Sequence, residues 1–383
     1  MDTVLCLHNA VVLTGFSTMP NCAVYIKKDK IADVYNESRF QQKQFSSHVQ
    51  MIDMQGAYIA PGFIDTHIHG IGGYSTDEAE TQSILKMSEI LPSYGVTSFI
   101  PTIITAPEKI LIKRIKAIVA AIGKEKGARV LGIHLEGPFL SPEKIGGQEA
   151  DGLSSVDLNY LKRIIKAGKG HIINMTLAPE LKHIRELALK CMEAGIVLQA
   201  GHTNATYEQI IEGMQAGIFH ATHMFNAMRP MHHREPGTVG AILTHPEISC
   251  EIIGDGIHVH PDLIRLLTQC KQPTQLVLIT DSLKYTKAQI PSDIDLYCQK
   301  CFKRKSDDVI MGSCITMLDG FQNLLKFGVR LERAIQMATS NPARIMHQNG
   351  IGSIIPSYDA DLIVLDKNFN LKMTMIKGKF LKL

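Results

Sequence analysis

From residue 60 onward, short apolar or β-branched runs recur along this chain, separated by stretches with a helical period. The runs lie at 63–68 (FIDTHI), 96–100 (VTSFI), 130–135 (VLGIHL), 172–177 (IINMTL), 196–200 (IVLQA), 218–222 (IFHAT), 249–253 (SCEII) and 276–280 (LVLIT). Their length and composition predict buried strands. Between them, AETQSILKMSEIL, PEKILIKRIKAIVAAIG, PELKHIRELALKCMEAG and YEQIIEGMQAG read as amphipathic helices. Pro107 and Pro179 stand where a first helical turn tolerates proline. Gly123, Gly195 and Gly217 stand where a C-cap wants glycine. Strands that alternate with helices imply parallel βα units. Eight such units predict an α/β fold, a (β/α)8 TIM barrel, because closing the sheet removes its exposed edges.

The two ends follow another pattern. VLCLHNAVVL, CAVYIKKDKIADVY and VQMIDMQGAYIA are strand-like, with turn residues between them and no convincing helix; DADLIVLDKNFNLKMTMIKGKFLKL at the C-terminus matches them. The simplest arrangement is one small β-sandwich domain built from both termini, 1–59 and 346–383, flanking a barrel over 60–345. Residues 282–310 fit neither pattern and contain no glycine. They are expected to be an irregular excursion after the eighth strand.

Composition changes this picture little. Of 383 residues, 45% are hydrophobic and 20% charged, ordinary values for a soluble globular protein. A net charge of +3 is too weak a bias to argue for nucleic acid or an anionic membrane surface. No apolar run approaches the length of a spanning helix, and MDTVLCLHNAVVLTG reads as a strand instead of a signal peptide. Eight cysteines are scattered, and the single C-x-x-C, Cys298 with Cys301, has no second pair or neighbouring histidines to complete a zinc site. Reduced thiols and a cytoplasmic location are expected.

The chemistry gathers at strand ends. Side chains alternate across a strand, so His67 and His69 in GFIDTHIHG share a face. The third run ends at Glu136 in HLEGPF, the fifth at His202 in AGHTNAT, the sixth at His223 in ATHMFNAM, and the eighth at Asp281 in LITDS. A lone histidine in such a place is most often a satisfied core residue. Here five strands of eight deliver His, Glu or Asp to one rim, the C-terminal rim where barrel enzymes place their chemistry. Neutral imidazole and carboxylate suit a divalent transition metal such as zinc, iron or manganese. Glu136, His202 and His223 make a three-ligand set that leaves a coordination position open, the pattern of a catalytic site. Asp281 has no partner cation in sequence. It is a candidate to take and return a proton, or else a helix N-cap or one more ligand.

At this point the sequence resembles the amidohydrolase superfamily, and within it the N-acetylglucosamine-6-phosphate deacetylases. The resemblance rests on PGFIDTHIHG, GVTSFIPT, HLEGPF, GHTNATY, ATHMFNAM, REPG, DGIHV, TDS, GSCITM and NPAR, in order from about residue 60 to 345, with DADLIVLD as a C-terminal strand. It implies Glu136, His202 and His223 as ligands of a main metal and His67 and His69 as holders of a second where one is present. It further implies Asp281 as general base and then acid, and His258 as the group that polarises the acetyl carbonyl. Backbone N–H groups of Asn226 and Ala227 would receive the sugar phosphate, with Arg234 as a charged clamp that can come from a neighbouring subunit, hence a homodimer. The implied reaction converts N-acetylglucosamine 6-phosphate into glucosamine 6-phosphate and acetate. Gln148 replaces the family's usual histidine against a sugar hydroxyl and keeps donor and acceptor capacity. Ser282 replaces the usual alanine, and the segment after it lacks the usual glycines. Two rival readings remain. One is a cyclic-amide hydrolase of the dihydroorotase or hydantoinase kind, which would want a lysine at the exit of the fourth strand, where IINMTLAPE has none. The other is a non-catalytic scaffold, which would have lost its metal ligands.

Overall fold

Eight parallel strands close around a common axis in a computed structural model that describes residues 4–381. They are Phe63–Ile68, Val96–Ile103, Ile133–Glu136, Ile172–Leu177, Val197–Ala200, Ile218–Ala221, Ser249–Ile253 and Leu276–Ile279, and each pairs in register with the next. The seam between eighth and first is made just beyond their ends. There the Asp281 N–H donates to the His67 carbonyl at 2.9 Å, and the N–H groups of His69 and Gly70 donate to the Ser282 carbonyl at 3.0 Å. Gly70 is required at that seam, because a Cβ would lie 2.7 Å from the Lys284 backbone nitrogen.

A helix follows each strand: Thr81–Ile90, Glu108–Ala121, Leu158–Gly168, Ile184–Glu193, Tyr207–Gln215, Gly237–Thr244, Pro261–Cys270 and Met317–Lys326. The fold is thus the (β/α)8 barrel that the alternation implied. Leu111, Ile115 and Ile118 of the second helix, at helical spacing, are buried against the sheet; each such side chain contributes about 1.5–3 kcal/mol. Asp157 caps the third helix by accepting from Asn159 and Tyr160 N–H, and Thr206 with Gln209 forms a capping box on the fifth.

Strands from both ends of the chain join in one eight-stranded sheet beside the barrel. Tyr58–Pro61 is its hinge point: it pairs parallel with Val4–Leu13 and antiparallel with Leu362–Leu365. Leu5, Leu7, Val24, Ile26, Ile59, Leu362 and Val364 form this unit's own core. Arg129, from the barrel, forms ion pairs with Asp359 and Asp361 and ties the C-terminal strands to it.

Three expectations need correction. The fourth helix begins at Ile184, not near Pro179, because Glu180 stays behind to accept hydrogen bonds from the Thr203 hydroxyl at 2.5 Å and the Asn204 N–H at 2.6 Å. The N-terminal region does contain a helix, Glu37–Gln42, which buries no residue and is held by its Asn36 cap, so it leaves no apolar period to read. Residues 282–310 are irregular only in their first part, up to Asp293. Ile294–Tyr297, Cys301–Arg304 and Ile310–Ser313 make an antiparallel three-stranded sheet. No described helix is long and apolar enough to cross a membrane.

Candidate metal centre

The barrel strands deliver their polar ends to one point. His67 sits on the first strand and Glu136 ends the third, both buried. His202, His223 and Asp281 each come two residues after the fifth, sixth and eighth strands, with left-handed backbone (φ +46°, +25° and +50°). Such φ values cost non-glycine residues roughly 1–2 kcal/mol and collect where function requires a particular side-chain direction. Phe225 and Ala227, after His223, share the state (φ +79° and +51°).

Glu136 stands between two clusters. Its Oε1 lies 2.9 Å from His202 Nε2 and 2.9 Å from His223 Nε2, which are 3.1 Å apart. Its Oε2 lies 3.6 Å from His67 Nε2 and 3.4 Å from His69 Nε2. Asp281 Oδ1 completes the second cluster, 3.0 Å from His69 Nε2 and 3.4 Å from His67 Nε2. Asp281 therefore adjoins the second histidine pair. The structure groups the six residues as two donor sets, Glu136–His202–His223 and His67–His69–Asp281.

The proton inventory shows what these sets fit. His202 Nδ1 lies 2.9 Å from the Lys144 carbonyl, which only accepts, so Nδ1 carries the hydrogen. His202 Nε2 then presents a lone pair to the Glu136 carboxylate. His67 repeats the arrangement, with Nδ1 at 3.0 Å from Glu251 Oε2 and Nε2 toward the carboxylates. Lone pairs that converge on carboxylate oxygen need a positive charge between them. The electrostatics agree. Burial would pull the His69 imidazolium down, yet hydrogen bonds to Asp281 and Glu136 hold it up at about 9. Burial likewise opposes charge on Glu136, which the surrounding histidines nonetheless keep well below the usual carboxylate range. His134, beneath the centre, is pushed down to about 3 by burial and by charge on His67. The donor set fits divalent cations.

A cavity of about 350 Å³ opens over the centre, within the range of roughly 300–1,000 Å³ typical of small-molecule sites. His69, Glu136, His202, His223, Asp281 and His258 line it, with Gln148, Asn226 and Ala227. His258 Nδ1 is 2.5 Å from Asp255 Oδ2, and its Nε2 is 2.9 Å from the Met311 carbonyl. Both ring nitrogens thus face acceptors. Burial opposes the charged ring, but the Asp255 carboxylate raises its pKa. Gln148 is engaged twice: Nε2 donates to Glu136 Oε2 at 2.6 Å, and Oε1 accepts from the Thr105 N–H at 2.8 Å. The Asn226 N–H is taken up by the His223 carbonyl at 3.1 Å, whereas the Ala227 N–H has no acceptor among the described residues. Arg234 does not line the cavity of its own chain. It is exposed, with Nη1 against His233 Nε2 at 2.7 Å. Gly146 passes so near His202 that a Cβ would lie 3.2 Å from Cε1.

Sequence reasoning missed other groups here. Lys284, Tyr285, Arg304, Ile310 and Met311 bring the segment after the eighth strand onto the cavity wall. Glu251 and His134 sit beneath the clusters, wholly buried. A signal for Glu251 was present: an acid flanked by Cys250 and two isoleucines in the SCEII strand has no packing role.

Known proteins place this geometry. The family model for the amidohydrolase family matches residues 58–381. An N-acetylglucosamine-6-phosphate deacetylase of Bacillus subtilis is 32% identical, over 98% of this chain and 96% of its own. One of Danio rerio is 33% identical, over 89% and 88%. The crystal structure of the Mycobacterium smegmatis N-acetyl-D-glucosamine-6-phosphate deacetylase superposes with a TM-score of 0.91 at 28% identity, covering 99% of this chain and 100% of that one. With the barrel, the two donor sets and these matches in agreement, the chain belongs to the amidohydrolase family.

Proposed function

We propose that this chain is a metal-dependent hydrolase that removes the N-acetyl group of N-acetylglucosamine 6-phosphate, giving glucosamine 6-phosphate and acetate. The observation that carries the reading is Glu136 between two pairs of histidines, at the floor of a cavity of about 350 Å³. Glu136, His202 and His223 would hold one divalent ion, and His67 with His69 a second. An ion bound there supplies Lewis acidity, polarising the amide carbonyl and lowering the pKa of water to about 7.

The remaining steps belong to the protein. Asp281, ionised and held low by the neighbouring histidines against the effect of burial, accepts the proton of the attacking water. It then returns that proton to the departing nitrogen, which would otherwise leave as a poor amide anion. His258 Nε2–H, now on the Met311 carbonyl, turns to the acetyl oxygen and takes up developing negative charge. Gln148 keeps one amide hydrogen for a sugar hydroxyl. The free Ala227 N–H receives the phosphate, the Asn226 N–H joins it by leaving the His223 carbonyl, and Arg234 of a second copy clamps it, which makes the working form a homodimer. The location is cytoplasmic. The cyclic-amide reading is not favoured, since the fourth strand exits through Leu177 and Ala178 with no lysine.

Acetate release from N-acetylglucosamine 6-phosphate, with and without chelator, tests the reading. Turnover is expected with the divalent ion present, loss after chelation, and return on adding zinc, iron or manganese. Activity indifferent to chelator, or no acetate from protein shown by elemental analysis to be loaded, sinks it.

A further inference from the structure

We propose that Glu251 is a positioning residue. It locks His67 with its Nε2 lone pair toward the cation site and couples the second histidine cluster to the first. The inference rests on the reading that these clusters hold divalent cations.

Glu251 lies on the seventh barrel strand with no exposed surface. A buried carboxylate is ordinarily matched by a lysine or arginine. Here its hydrogen-bond donors are both in the centre: Oε2 accepts from His67 Nδ1 at 3.0 Å and from the His223 N–H at 3.3 Å. Its Oε1 has no hydrogen-bond partner among the described residues and lies 3.8 Å from His220 Nε2. One carboxylate oxygen therefore touches a candidate ligand from each donor set. An unrestrained imidazole at His67 can flip about χ2 and present carbon where Nε2 now stands. A hydrogen bond to Nδ1 forbids that flip and fixes the tautomer. The second face of the ring is held by His134, edge-on at 4.7 Å between centroids. His134 is itself pinned by the Thr102 hydroxyl at 3.1 Å and the Thr176 hydroxyl at 2.8 Å.

The test compares the wild-type chain with Glu251→Gln and Glu251→Leu, stripped of metal and reloaded with zinc under calorimetry, and with Co²⁺ for the visible spectrum. Glutamine keeps an oxygen that accepts from His67 Nδ1–H, whereas leucine keeps only the volume. Wild type is expected to bind two equivalents. Glu251→Leu is expected to bind the second about 10–100-fold more weakly and to alter the Co²⁺ bands, with Glu251→Gln restoring most of both. Wild-type zinc affinity and spectrum in Glu251→Leu overturn the proposal, as does a wild-type chain that takes up a single equivalent. A glutamine variant as impaired as leucine overturns orientation in favour of charge. Should the leucine variant fail to fold by circular dichroism, Glu251→Asp, which withdraws the carboxylate by one methylene, takes its place. Wild type that binds zinc but releases no acetate sinks the deacetylase reading alone.

Discussion

Asp281 has two neighbours with different demands on it. Its Oδ1 is 3.0 Å from His69 Nε2, within reach of any ion held by the histidine pair, and its backbone closes the barrel seam. Replacement by asparagine preserves size and the seam but removes the basic oxygen. Asp281→Asn is expected to lower kcat for acetate release by about 10²–10⁴-fold while the Glu136–His202–His223 set keeps its ion by elemental analysis. Unchanged turnover removes Asp281 from proton transfer. The candidate ligands were legible because strand-end residues have no packing reason to be polar. Glu251 and His134 were not singled out, since they lie inside runs, SCEII and VLGIHL, whose other residues are apolar or small, and a strand's period of two does not say which face is the lumen. The engagement of Gln148 with Glu136 and Thr105 was hidden too, for it depends on two segments distant in sequence meeting over the barrel mouth.

The strands of the barrel announced themselves through length and β-branched content, and their observed limits differ from the reading mainly at the ends. The second runs three residues farther, to Ile103, and the third starts at Ile133. The three-stranded sheet over the cavity gave no such notice. Its first turn is formed by Cys298 and Gln299, both with positive φ (+47° and +57°), a geometry that Asn-Gly usually advertises. Without glycine the hairpin looked like loop. The same fact supports an expectation. Gln299→Gly is expected to relieve roughly 1 kcal/mol of backbone strain, seen as slower amide hydrogen exchange across Ile294–Tyr297 and Cys301–Arg304, with kcat unaltered. Faster exchange would mean that the glutamine side chain, not the backbone, holds the turn.

No single chain assembles the full set of groups proposed for the substrate, because Arg234 stands in solvent away from its own cavity. Arg234→Ala is expected to raise KM for the phosphorylated sugar by about 10–100-fold and leave an unphosphorylated one nearly unchanged. Co-expressing Arg234→Ala with Asp281→Asn should recover about a quarter of wild-type sites, since half of randomly paired dimers then contain one intact composite site. No recovery would confine Arg234 to its own subunit. The pairing of Tyr58–Pro61 with Leu362–Leu365 has a different reach. On the ribosome, about 300 residues must be added between those partners, roughly 15–60 s at ordinary elongation rates. Throughout that interval one edge of Tyr58–Pro61 lacks its mate, and the nascent chain carries an open, apolar strand that chaperones would be the first to meet.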